Sequence, residues 1–248
     1  MSGRLVQLVA DYGPGDLAFA ELAQLLELVV PDADVRLTTV PAFDSLAAGW
    51  CAARLALCAG PPGRLVVLDV AASGGARQCV GRARDQADVV AANTGWAWSF
   101  LAGEVRGPWF LEVPAGLGST RSPQLLAEAV VRVSNRQPHG VCEPVPAEQI
   151  PPIPESVVAF VDCDGSIETT IAHAPSAVGD QMRVHIGEFA ATAQVTDGRE
   201  PLREGALALR PGVQPFSALT VGGGSASELF GGPGGGAPVA LVPAEPLA

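Results

Sequence analysis

Six prolines crowd the eighteen residues from Gln137 to Pro154. Each fixes φ and removes a backbone donor, so the stretch resists both helix and central strand. A chain so interrupted folds as two pieces. The residues before it alternate apolar runs of strand length with runs of helical period, whereas those after it break into short apolar segments separated by Gly, Asp and Pro. The expected organisation is an α/β domain over 1–136, a Pro-rich linker over 137–156 and a β-rich domain over 157–248.

In the first piece, 4–10 (RLVQLVA), 64–70 (RLVVLDV) and 88–98 (DVVAANTGWAW) open as continuous apolar runs, the signature of strands buried on both faces. Segment 35–40 alternates, and 109–113 reads as a further strand. Helices are expected after Asp16, where Leu22, Leu25, Leu26 and Val29 follow a helical period that Pro31 stops, and over 44–59 and 123–133. The expected fold is an α/β N-terminal domain, a mostly parallel sheet with flanking helices, followed by a small mainly-β C-terminal domain. Strands are expected there at 157–163, 182–196, 205–210 and 217–222, with a small helix at 225–230. In an open sheet of parallel strands a ligand crevice lies at the strand carboxyl ends. Asp11, Asp69 and Asn93-Thr94 occupy that position.

The 26 acidic residues outweigh 15 basic ones, and the net charge of -11 leaves no basic stripe for phosphates. Nucleic acid is not an expected partner. Every basic residue is Arg, which removes Schiff-base lysines and the P-loop lysine. It is also the usage of a GC-rich genome, as in actinobacteria. The five cysteines form no CxxC pair, and the odd count argues against a closed disulfide framework. With neither a signal-peptide pattern nor an apolar run of spanning length, no membrane association is expected, and the expected compartment is the cytoplasm. His139, His173 and His185 lack metal-ligand spacing, so no metal is expected. Cys79 and Cys163 are read as inert small hydrophobes.

Several segments, in order, resemble the family of S-adenosylmethionine hydroxide adenosyltransferases, fluorinases and chlorinases. Asp11-Tyr12-Gly13 with Asp16 resembles its Asp-Phe-Gly start. Pro31-Asp32-Ala33 and Pro41-Ala42-Phe43-Asp44 resemble NPDA and PPFD, Leu68-Asp69-Val70 with Arg77 resembles VVDPGVG…RR, and Ala92-Asn93-Thr94-Gly95 resembles PDNG. Residues 160–171, with Asp162, Asp164 and Ser166, resemble IDxFGNxxTNI, and 219–229 resemble LxIAxNxGSAAEL. The resemblance implies a homotrimer with its pocket between the N-terminal domain of one subunit and the C-terminal domain of the next. It implies that Asp11 holds ribose hydroxyls, Phe43 walls the pocket, and Asp162 and the Ser166 position hold the methionine end.

The sequence differs from the family at the reacting groups. The histidine of its FHGRD stretch is absent from Thr120-Arg121-Ser122-Pro123-Gln124, Asn93-Thr94 replaces Asp-Asn, and Asp164 and Ser166 replace the Phe and Asn of FGN. Losing the water-activating histidine is costly for hydrolysis and harmless for a cycloaddition, which needs an oriented substrate rather than a general acid or metal. The expected function is therefore a cyclase of cycloaddition type, acting without a cofactor on an apolar polyketide-like intermediate. Asp69 and Asp11 are the expected catalytic groups. The expected substrate-binding residues are Tyr12, Phe43, Trp50, Asn93, Thr94, Trp96, Asp162, Asp164 and Ser166. An S-adenosylmethionine hydrolase or halogenase-like enzyme, with Asp69 and Arg77 orienting the nucleophile, is the alternative; a non-catalytic binding protein is the third reading.

Overall fold

Buried apolar strands set the architecture of both halves of the computed structural model. It describes residues 4–71, 76–84, 87–111, 123–134, 141–172, 176–212 and 215–244, with the side chains of 141 and 142 outside that description. The chain divides into two compact units, Met1–Pro152 and Ile153–Ala248.

The first unit runs β1 (Leu5–Ala10), α1 (Leu17–Val29), β2 (Asp34–Thr39), α2 (Ser45–Leu57), β3 (Leu65–Asp69), β4 (Gln78–Ala83), β5 (Asp88–Ala92), β6 (Val105–Leu111), α3 (Pro123–Ser134) and β7 (Val141–Pro144), with 3-10 turns at Ser99–Leu101 and Ala147–Gln149. Its sheet has the order β2-β1-β3-β5-β4-β6-β7. The pairs β1–β2, β1–β3 and β3–β5 are parallel, whereas β4–β5, β4–β6 and β6–β7 are antiparallel. Leu22 and Leu26 of α1 and Leu126, Ala129 and Val130 of α3 pack with Val6, Leu8, Leu65, Val67 and Val90 of the sheet. Such burial stabilises by about 1.5–3 kcal/mol per large aliphatic side chain.

Helix α2 is anchored at both ends. Asp44 accepts the amide of Ala47 at 2.8 Å, which satisfies one of the free donors of the first turn. At the other end Arg64, 2% exposed, donates to the carbonyls of Leu55, Ala56, Cys58 and Pro61 at 2.6–3.3 Å. Its charge thus meets the negative pole of the helix. At the amino ends of the strands, buried Asp88 receives Arg4 at 3.0 Å and Arg82 at 2.6 Å. This ion network is structural, because Arg4 also reaches Gly63 O and Ser134 Oγ and so joins β1, the 60s loop and α3.

The second unit contains β8 (Val158–Val161), β9 (Ile167–Ala172), β10 (Gln181–Ile186), β11 (Phe189–Val195), β12 (Leu207–Pro211), β13 (Phe216–Val221), a four-residue helix α4 (Ala226–Leu229) and β14 (Val239–Pro243). The sheet order is β14-β10-β11-β12-β13-β9-β8. Its two edges meet at the bridge Val157↔Pro238, with Val158 N donating to Ala237 O at 2.9 Å and Val239 N to Ser156 O at 2.7 Å. Closure removes an exposed pair of edges. Val158, Ile167, Val184, Leu209, Leu219 and Phe230 fill the interior.

The expected fold class needs correction. Among the described residues 37% are strand and 23% helix, with four α-helices against two seven-stranded mixed sheets. The first unit is not a mostly parallel sheet with flanking helices, and the second is not a small appendage. The physical reason lies in β4, the next described element after β3, which enters between β5 and β6. Its sequence, QCVGRA, carries Gln78, Gly81 and Arg82 and shows no apolar run, yet all but Arg82 are buried. Within the Pro-rich stretch, β7 forms the sheet edge, the place where a strand tolerates proline.

Candidate functional site

The direction of the chain reverses across β1: it crosses from β1 to β2 on one side, while β3 lies on the other. In open sheets with such a switch of direction a ligand crevice is expected outside the carboxyl ends of the strands, here those of β1 and β3. In the register Ala10 of β1 is opposite Asp69, the last residue of β3. Asp11 follows Ala10 directly, and Asn93 follows the end of β5. Three of the expected site residues therefore share one end of one sheet, opposite the end sealed by Asp88.

Their side chains are held. Asp11 Oδ2 accepts the amides of Phe43 at 3.2 Å and Ala71 at 3.1 Å, tying the end of β1 to the loop before α2 and the residue after Val70. Tyr12 Oη donates to Asp69 Oδ2 at 2.7 Å. The Tyr12 ring, 9% exposed, belongs to the core with Leu22 and Leu26, so its body is core and only its hydroxyl faces the carboxylate. Phe43 is 75% exposed and sits at φ 63°, a left-handed conformation that is uncommon for a bulky residue. Trp96, 37% exposed, donates its amide to Ser45 Oγ at 3.2 Å. Gly49 of α2 lies where any Cβ would collide with the Trp96 carbonyl, so the 93–97 loop and the first half of α2 are in close contact.

Asn93 N donates to Arg77 O at 2.8 Å, and its Nδ2 reaches Gln149 O at 3.4 Å. Thr94 shapes the turn, its carbonyl accepting the amide of Ala97 at 3.1 Å. Arg77, just before β4, lies 3.8 Å over the Phe110 ring and 2.8 Å from Glu143. Phe110 and Ser45 fall in segments expected as strand and helix, but no motif marks them or Glu143 as neighbours of the site; the antiparallel course of β4, β6 and β7 brings Phe110 and Glu143 to Arg77. Trp50, in contrast, is 6% exposed within α2, with the Arg54 guanidinium 5.1 Å from its ring. Asp16 occupies the N-cap position of α1, but its carboxylate accepts from Gly13 N instead of capping the helix.

Asp162, Asp164 and Ser166 belong to the second unit, in the turn joining β8 to β9. Asp162 Oδ1 accepts the amides of Asp164 at 3.2 Å and Ser166 at 2.8 Å, and Asp164 Oδ1 accepts Ser166 N at 2.9 Å. Loss of hydration pushes the Asp162 carboxyl up from its ordinary value, with the hydrogen bond to Asp164 adding to it. Asp164 is pushed down by that bond and by those from Ser166. Gly165, at φ 81°, leaves the space that Ser225 of the α4 cap fills. Among the described residues no group of three His, Cys, Asp or Glu side chains gathers as a metal site. No described helix is long and apolar enough to cross a membrane. Burial pushes the thiols of Cys51 and Cys79 up to about 12, whereas Cys163 is exposed in the 162–166 turn and is not the packed hydrophobe expected. Segment 120–122, His139 and His173 lie outside the described residues, and His185 is exposed on β10.

No family model matches the chain, and no curated protein matches it. Among solved structures, an uncharacterized conserved protein from Thermotoga maritima superimposes with TM-score 0.75 at 18% identity, covering 96% of this chain and 100% of that one. A conserved hypothetical protein from Thermus thermophilus gives 0.65 at 24% identity, with 96% and 100% covered. At these identities the likeness is one of fold, and it extends over both units.

Proposed function

We propose that this protein is a divergent member of the adenosyltransferase fold family that acts as a cytoplasmic, homotrimeric cyclase of cycloaddition type on an apolar, polyketide-like intermediate. The observation that carries the reading is the Asp11–Phe43 and Tyr12–Asp69 arrangement at the switch point of the first sheet. Both carboxylates are already fixed by donors, and one of those donors is the backbone amide of Phe43, whose aromatic side chain is exposed. Fixed acceptors next to an apolar wall orient a substrate; orientation is what a cycloaddition needs from a protein. Water activation needs a base, and a carboxylate already accepting a hydrogen bond from a phenol at 2.7 Å is less available for that role.

The test uses conservation of mass. Cyclisation of this kind changes no atoms, so deleting the gene in its host should remove one metabolite and accumulate another of identical mass. The purified protein should then convert the second into the first. Release of adenosine from S-adenosylmethionine by the purified protein would instead establish the hydrolase, and absence of any equal-mass pair would refute the cyclase.

A further inference from the structure

We infer that Tyr12 is a positioning residue for Asp69: its hydroxyl fixes the carboxylate's orientation and holds it ionised at the head of the crevice. The inference rests on the crevice reading above only in taking Asp69 as a group that faces substrate. Tyr12 lies two residues beyond Ala10, the register partner of Asp69, so its side chain crosses from the end of one strand to the end of its neighbour. The 2.7 Å separation is that of a charge-assisted hydrogen bond. The proton belongs to the phenol, whose ordinary value near about 10 lies far above that of a carboxyl near about 3.9.

The ring cannot swing away at little cost. It is packed in the core with Leu22 and Leu26, and its own carbonyl accepts from Thr39 Oγ1 at 3.4 Å. A donor fixed in this way stabilises the charged carboxyl more than the neutral one. Among the described residues Asp11 is a second charged group at this strand end, and its Oδ2 is engaged by the amides of Phe43 and Ala71. Arg77 stands before β4, beyond β5 in the sheet, with Glu143 beside it. The neighbouring strand ends contribute Thr39 and Asn93, which do not titrate.

The experiment is a carboxyl-carbon NMR titration of the full chain and of Tyr12→Phe, with Asp69 assigned by its disappearance in Asp69→Asn. Phenylalanine keeps the packed ring and removes only the donor. The Asp69 midpoint is expected to rise by about one pH unit or more in Tyr12→Phe; identical midpoints would overturn the inference. Should Tyr12→Phe fail to fold, the reciprocal arm decides. Tyr12 is the chain's one tyrosine, so phenolate absorbance reports it alone. Beside an ionised Asp69 it should titrate above about 10, and in Asp69→Asn about one pH unit or more lower. Equal midpoints, or retention of the phenol proton in both proteins until they unfold, would overturn the inference. Both arms read titration and not turnover, so their failure removes the role of Tyr12 and leaves the cyclase to the equal-mass test.

Discussion

Asp11 holds Phe43 by the backbone, its Oδ2 accepting the Phe43 amide at 3.2 Å across 32 positions of sequence while Phe43 sits at φ 63°. A non-glycine residue in this region costs about 1–2 kcal/mol. Phe43→Gly should therefore leave stability unchanged or raise it by up to about 1 kcal/mol, because the larger chain entropy that glycine loses on folding offsets part of the relief. Asp11→Ala removes the acceptor of two amides and should destabilise the first unit by about 1–2 kcal/mol. Urea unfolding of both variants checks the pair; a Phe43→Gly loss larger than that of Asp11→Ala contradicts it.

Arg64 makes a second separable prediction. Its guanidinium is buried and meets carbonyls of Leu55, Ala56, Cys58 and Pro61. Alanine there leaves the end of α2 unsatisfied in a dry site, at a cost of roughly 3 kcal/mol, near the upper range for single substitutions. Lysine supplies charge without the fork of donors and should recover less than half of that. Equal stability of Arg64→Lys and wild type in denaturant titration would show that charge alone suffices.

The strands that carry the crevice are legible in the sequence because they are buried on both faces. Continuous runs such as RLVVL need no partner to be recognised, and the polar residues that end them mark the carboxyl edge. Strand β4 is not legible, since its Gln78 and Arg82 are explained only by its neighbours β5 and β6. Strand β9, IETTIA, carries Glu168 and two threonines that are buried, which hides it in the same way. The Tyr12–Asp69 bond spans 57 positions and leaves no local pattern. Arg64 is visible as the start of a strand, but nothing in its neighbourhood indicates that its side chain turns back to cap α2.

The acidic turn gives a pH prediction with a definite sign. Asp162 has its carboxyl raised by lost hydration, so it favours the folded state at low pH and loses that contribution as pH rises through its folded value. Asp164, lowered by its hydrogen bonds with Asp162 and Ser166, acts in the opposite sense and loses its contribution as pH falls through its folded value. Asp162→Asn keeps an acceptor for Ser166 N while removing the charge. Its melting temperature should exceed wild type at neutral pH, with the difference shrinking as pH falls toward about 4. A difference that grows on acidification would reverse the assignment.

Thiol chemistry should divide the cysteines. Cys51 and Cys79 are buried and pushed up to about 12, whereas Cys58 and Cys163 are exposed. Since the thiolate is the nucleophile, alkylation of the native protein at neutral pH should label Cys58 and Cys163 and spare Cys51 and Cys79 until unfolding. Peptide mapping by mass spectrometry reads the outcome, and early labelling of Cys79 would contradict the packing of β4.

The contrast between oriented binding and proton transfer separates the two enzymatic readings. Asp69→Asn keeps the shape of the side chain and an oxygen that accepts the Tyr12 hydroxyl, and it removes only charge. A cyclase should lose about tenfold or less in turnover, whereas removing a base or an orienting group from a water-activating enzyme costs roughly 10²–10⁴-fold. Truncating the exposed aromatic side chains does the reverse. Phe43→Ala and Trp96→Ala remove surface that would fold an apolar substrate; Phe43, 75% exposed, is the cleaner probe, whereas Trp96, 37% exposed, is to be checked for unchanged stability. Trp50→Ala is a poor probe, because its ring is buried in α2 and its loss would cost about 3–5 kcal/mol of stability. With the equal-mass metabolite as substrate, a cyclase requires the aromatic truncations to harm turnover more than Asp69→Asn does. Abolished turnover in Asp69→Asn, with both truncations tolerated, would rule out catalysis by orientation.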